Sequence, residues 1–308
     1  VTGDVAQVGA PSEFKEGLRF LRILQRELAI PIESCFVVPG NHDVSFPLAA
    51  APYLSFDFRS PFSAALGAKD SNPRVVHSAT ADGLDCYGLA PFYDFSRSLG
   101  GRDEWTPQAT ADCPLKRPTW FTSETYVHLG VRIIGLNTVG LLGPEDPSSP
   151  KIPEDAVIAL GNHLDRVRAR PLGREAVNVV LLHHSPWAGI GKESLGADGE
   201  FLLSRLASRG DAIILFGHIH QQIASVRPFT AGHDLQAVHA SASTLALAAR
   251  ARPEDTLRGF NLLQLNRSGG AVVGAEIAAY SFLNAQYTCL GIKKFQREPG
   301  RGWRTALP

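Results

Sequence analysis

Four short polar clusters hold the side chains best suited to chemistry: Gly3-Asp4, Gly40-Asn41-His42-Asp43, His183-His184-Ser185-Pro186 and Gly217-His218-Ile219-His220. A pair of divalent cations about 3.5–4 Å apart needs a bridging carboxylate, several neutral imidazoles and an oxygen donor of lower charge. Asp4, Asn41, His183 or His184, His218 and His220 supply such a set. Imidazole and carboxylate donors without thiolate favour manganese, iron or zinc over a soft metal.

Donors so far apart in sequence must be gathered by rigid elements. Ser12 is placed to cap a helix with Glu13 and Glu16 in its first turn. Phe14, Leu18, Leu21, Leu24 and Leu28 then recur at helical spacing until Pro31. Residues 34–38 form a short apolar run ended by Pro39-Gly40, which reads as a buried strand delivering Asn41, His42 and Asp43 at its C-terminal end. The pattern repeats: strand 131–136, helix 153–170 with Val157, Leu160, Leu164 and Val167 inward, strand 177–182 ending at His183, helix 200–208, and strand 212–216 ending at Gly217-His218. In open α/β sheets, sites form where strand C-termini meet. Residues 235–243, 260–265 and 271–282 read as strands of a second mixed sheet. Residues 45–125 are rich in Pro, Gly and aromatic residues and too long for an ordinary connection, so they are expected as a cap-like insertion.

Bulk properties set bounds on function. With 308 residues and 44% apolar composition, the chain can bury a full core. Its 30 Lys and Arg balance its 30 Asp and Glu, so no long-range field gathers a polyanion or an acidic membrane. The longest apolar stretch, 270–282, is interrupted by Glu276 and too short to cross a bilayer. Cys35, Cys86, Cys113 and Cys289 form no Cys-x-x-Cys pair and read as reduced thiols. The opening Val1-Thr2-Gly3-Asp4 has no charged or apolar export region, and a cytoplasmic location is expected.

Taken in order, the four clusters resemble the signature of the calcineurin-like metallophosphoesterases, over residues 1 to about 265. The resemblance implies a four-layer α-β-β-α sandwich of two mixed sheets flanked by helices, with the long insertion following the Gly-Asn-His-Asp motif. Asp4 would bridge two metal ions, Asn41 and His218 would bind the second, and His220 the first. His42 would face the phosphate and serve the leaving oxygen, with Asp43 orienting it. Counting alone leaves His183 and His184 open; the family's pattern of ligand His, any residue, then Pro selects His184. The implied reaction is hydrolysis of a small, nucleotide-like phosphate ester, with phosphodiesterases the nearer kin because the histidine turn is His-His-Ser-Pro.

The family normally carries Asp-x-His on a first strand ahead of Gly-Asp. This sequence opens at Gly3-Asp4, so residues 1–284 are expected as a catalytic domain without that first strand, and the motif is expected upstream of Val1. Residues 285–308, with Lys293, Lys294, Arg297, Arg301 and Arg304, are expected as a basic tail in solvent. Its charge, and Phe46, Tyr53, Phe56, Phe58, Tyr87, Phe92, Tyr93, Trp105 and Trp120, open a rival reading as a nuclease, which is not favoured. A regulatory scaffold without turnover is the third reading. His77 and His128 are expected to be no ligands and His163 to be exposed; His233 and His239 follow the last motif, and His239, on a strand, is not expected to reach the pocket rim.

Overall fold

In a computed structural model of the chain, the described residues are 1–50, 88–100, 119–140, 142, 149–170, 175–190, 193–230, 234–242, 258–283, 286–298 and 300–306. They divide into two compact units, Val1–Phe121 with Leu136–Ile152, and Thr122–Gly135 with Pro153–Pro308.

Helices and loops build the first unit. Helix α1, Pro11–Glu27, starts with proline at its first turn, where the fixed φ is helical and no N–H is missed. Its N-cap is Ala10, not Ser12. Glu13 reaches back from the first turn, its carboxylate accepting from the N–H groups of the N-cap Ala10 (3.0 Å) and of Val8 ahead of it (3.1 Å). The helix stops at Glu27, ahead of Pro31, as Ala29 turns left-handed with φ 50°. Among the described residues two further helices follow, α2 (Phe46–Ala50) and α3 (Ala90–Gly100). Phe14 of α1 is buried against Phe92 and Phe95 of α3, with ring centroids 6.3 and 5.4 Å away.

The strand expected at 34–38 is reduced to a 3-10 turn, Ile32–Ser34, and one parallel bridge between Thr2 and Val38. Val37 and Val38 are buried as their apolar character requires. Val1 continues the pairing, its N–H donating to Phe36 O (2.7 Å) and its carbonyl accepting from Val38 N–H (3.1 Å), and past the bridge the partner leaves the extended region at Gly3 (φ 90°) and Asp4 (φ 54°). Of the expected insertion, 51–87 and 101–118 lie outside the described residues, and with them Tyr53, Phe56, Phe58, His77, Tyr87 and Trp105; His233 lies outside as well.

The strands are β1 (Trp120–Ser123), β2 (Val131–Leu136), β3 (Val177–Leu181), β4 (Ala212–Phe216), β5 (Ile223–Pro228), β6 (Gln236–Ser241), β7 (Gly259–Ser268), β8 (Ala271–Leu283), β9 (Gln286–Glu298) and β10 (Gly302–Thr305). They pair in the order β1-β2-β3-β4-β6-β10-β9-β8-β7, with β5 also on β6. Strands β2, β3, β4 and β6 run parallel, while β7 to β10 form antiparallel pairs. The fold is mixed α/β, and the strands expected in a second sheet are joined to the first by the parallel β4/β6 and β6/β10 pairings.

Every residue of β3 is buried, the mark of a parallel strand covered on both faces. Two helices supply apolar cover in this unit. Helix α4, Glu154–Arg168, buries Val157, Leu160, Leu164 and Val167, and α5, Gly196–Ala207, buries Leu202, Leu203 and Leu206. Arg209 ties the end of α5 to α4, donating to the Gly161 carbonyl (2.9 Å) and the Asp165 carboxylate (2.7 Å).

Lys293, Lys294 and Arg297 lie on β9, the two lysines exposed and Arg297 half-buried. Phe295 and Trp303 are buried, and three basic side chains have acidic partners: Arg297 with Asp211, Lys294 with Glu276 and Arg304 with Glu298. Trp303 seals β10 into the core, at 1% exposure.

Candidate metal centre

In the first unit, Asp4 stands on a left-handed turn just after the bridge at Thr2. Its Oδ1 accepts the His42 backbone N–H at 3.0 Å, tying the two polar clusters together. Gly40 is required by that approach: a Cβ there would fall on the carboxylate and main-chain nitrogen of Asp4. Asn41, His42 and Asp43 form a 3-10 turn, with Asn41 and His42 half-buried and Asp43 fully buried. Asp43 spans the turn, its Oδ2 accepting from Gly40 N–H (2.9 Å) and its Oδ1 from Ala6 N–H (2.8 Å). Charge-assisted bonds of this kind are stronger than neutral ones, so one carboxylate fixes the whole segment.

His42 is oriented by a residue no motif pointed to. Its Nδ1–H donates to the Gln7 carbonyl at 2.8 Å, which leaves Nε2 as the ring's acceptor in the neutral state. Gln7 lies in a connecting loop, where composition carries no signal of such a role.

In the second unit, strands β3 and β4 end side by side. Leu182 N–H donates to Leu215 O (3.1 Å) and Gly217 N–H to His183 O (3.0 Å), extending the pairing into both histidine turns. His183 and His184 are each 1% exposed. His218 and His220 follow β4 with left-handed backbones, φ 63° and 53°. The rings of His183, His184 and His218 lie 4.5–5.2 Å apart between centroids. One ligand atom from each of these three lies within 4.8 Å of the others. His220 is two residues beyond on the same turn and half-buried.

The cluster is supported from behind. Ser185 Oγ accepts from Trp187 N–H (3.2 Å), its carbonyl accepts from Leu195 N–H (3.0 Å), and Trp187 Nε1–H donates to Pro228 O (3.0 Å). Gly199 of α5 packs so close to Pro186 that a Cβ would overlap the proline's main chain. His239 of β6 is buried, stacked against Phe216 and beside Trp187, with Nε2 on Ser225 Oγ at 2.5 Å. Burial first, then the charges of Arg227 and Lys293, push its imidazole down to about 4. His163, expected in solvent, is half-buried and meets Thr122 Oγ1 at 2.8 Å; burial lowers its pKa. His128 is exposed.

The structure thus gathers Asp4, Asn41, His42 and Asp43 within one unit, and His183, His184 and His218 within the other, with His220 on the adjoining turn. A family model described as calcineurin-like phosphoesterase matches residues 1–222, a span that contains all four clusters. The chain belongs to the calcineurin-like phosphoesterase family. That family is one of phosphoric ester hydrolases and implies divalent metal ions. A solved structure titled "Structure of PhoD" aligns with a TM-score of 0.48 and 11% identity, over 74% of this chain and 50% of that chain. The chain therefore spans about half the length of that neighbour. No curated protein matches it in sequence.

The residues present fit such ions. Three clustered imidazoles, two of them buried, could hold one, and neutral imidazole suits zinc and iron. Among the described residues no helix is long and apolar enough to cross a membrane.

Proposed function

We propose that this phosphoesterase hydrolyses a small phosphodiester at two metal ions drawn from manganese, iron and zinc, within a four-layer sandwich of two mixed sheets. The observation that carries the reading is the cluster of His183, His184 and His218, in a chain whose family model spans every motif. Asp4 would supply a carboxylate, Asn41 an amide oxygen, and His184, His218 and His220 imidazoles to hold the ions, with His183 the rival of His184. When bound, the cations neutralise charge on the phosphoryl oxygens and acidify water.

The chain's own residues complete the chemistry. His42, with Nδ1–H on the Gln7 carbonyl, turns a nitrogen of known tautomer outward to hold or pass a proton at the leaving oxygen. Asp43 keeps that turn rigid by accepting from Ala6 and Gly40. A nucleotide-like ester is favoured over a nucleic-acid strand, because basic side chains of the C-terminal segment are paired with Asp211, Glu276 and Glu298. Catalysis is expected in the cytoplasm.

Elemental analysis of the purified chain, followed by hydrolysis of bis-p-nitrophenyl phosphate with added manganese, tests the proposal. Bound metal and turnover are expected. A chain that takes up no metal and cleaves no ester defeats it and leaves a scaffold; salt-sensitive binding of single-stranded DNA moves the reading to a nuclease.

A further inference from the structure

Glu193 is absent from every motif, yet its carboxylate lies 3.3 Å from Nε2 of His218, one of the three clustered imidazoles. A histidine that binds a metal through one ring nitrogen characteristically donates its other N–H to a carboxylate, a carbonyl or water. Such a contact selects the tautomer, fixes the ring's rotation and raises the basicity of the donor nitrogen. We propose that Glu193 is the positioning residue of His218, accepting its Nε2–H and leaving Nδ1 as the atom offered to a divalent cation. The inference deepens the proposed function and rests on His218 being a metal ligand.

Three observations make this contact more than a surface ion pair. His218 has a left-handed backbone, so its side chain leaves the turn in a direction few alternative conformations share. Its ring is 4.5 Å from that of His184 and 5.2 Å from that of His183, between centroids, which restricts how it can turn. The Glu193 side chain is 35% exposed and that of His218 18%, so the contact stands at the cluster's margin, open to solvent on the carboxylate side. Rotating the His218 ring by half a turn would exchange its nitrogens and present N–H to the cluster, and Glu193 opposes that flip. The loop is itself anchored: two residues on, Leu195 N–H donates to the Ser185 carbonyl in the turn that bears His184.

The test is a cobalt(II) titration of the whole chain, read by visible absorption and by competition with a chelator, with no phosphate ester present. Nitrogen-15 NMR of the metal-free chain reads the His218 tautomer in the same samples. Wild type is expected to show the Nε2–H tautomer. Glu193→Ala is expected to bind cobalt about 10- to 100-fold more weakly and to lose that tautomer preference. Glu193→Gln keeps an accepting oxygen, so it should retain the tautomer and recover part of the affinity. The thermal midpoint of the metal-free chain is expected to stay unchanged in both variants, a readout that a merely structural role would move. Unaltered cobalt affinity in Glu193→Ala, or an Nδ1–H tautomer in wild type, overturns the inference while leaving the metal centre standing. A wild-type chain that binds no cobalt overturns both.

Discussion

Asp4, Asn41, His42 and Asp43 are held in a segment with one β-bridge, where side chains reach back to the main chain: Asp4 to His42, Asp43 to Gly40 and Ala6, and His42 to Gln7. His183, His184, His218 and His220 instead follow two neighbouring parallel strands whose ladders bury their own polar groups. The first arrangement concentrates its order in a few charged contacts; the second spreads it over a sheet. Loss of one side chain should therefore be felt more sharply in the first set than in the second.

Removing His42 gives the largest expected effect. His42→Ala should leave metal uptake intact and lower the rate about 10²- to 10⁴-fold, the usual reach of a proton-transfer group. Loss of metal instead would make His42 a metal donor rather than a proton-transfer group.

Next comes the contrast itself. Asp43→Ala strands two buried N–H groups that bond to a carboxylate and should cost about 3 kcal/mol or more in urea unfolding. Ser185→Ala removes one neutral acceptor behind the histidine cluster and should cost about 1 kcal/mol. Equal costs would erase the distinction between the segments.

Acid offers a third handle, confined to the strand-borne region. His239 is held near 4, while in an unfolded chain it titrates near about 6.5. The unfolded state thus binds the proton first as pH falls, and stability present above about 6.5 is lost between about 6.5 and 4, on the order of 3 kcal/mol. Unfolding midpoints at the two ends of that window check the sign, and His239→Gln should flatten the dependence. The smallest effect is at α1, where Glu13→Ala should cost about 1 kcal/mol as the carboxylate that accepts from the Ala10 and Val8 N–H groups. Ser12→Ala should cost less than about 0.5 kcal/mol, since Ser12 is exposed and does not cap.

How readable each region was from sequence follows the same physics. Strand β4 is apolar throughout, as a strand covered on both faces must be, while β2 carries one polar residue, Arg132, which is buried only because Glu124 and Asn178 accept its guanidinium N–H groups. The inward residues of α4 obey helical periodicity for the same reason. The stretch 34–38 looked like another buried strand, and its valines are buried, but among the described residues its partners in pairing are Val1 and Thr2, just ahead of the turn at Gly3 and Asp4. Strand β9 was hidden by its exposure: Tyr287, Leu290 and Ile292 face solvent among lysines, so no buried face announces it. Gln7 and Glu193 went unseen because one acts through a main-chain carbonyl and the other through proximity that only folding creates.

Among the described residues, four other than glycine have a left-handed backbone: Ala29 at the close of a helix, and Asp4, His218 and His220. A side chain in that conformation costs roughly 1–2 kcal/mol, a cost glycine escapes. Glycine at His218 or His220 would relieve that strain at the loss of an imidazole, whereas at Asp4 it would also strand the His42 N–H that the carboxylate accepts. On the proposed function, sturdiness and metal capture are opposed at His218 and His220, and directed evolution for heat resistance should be steered away from those two positions.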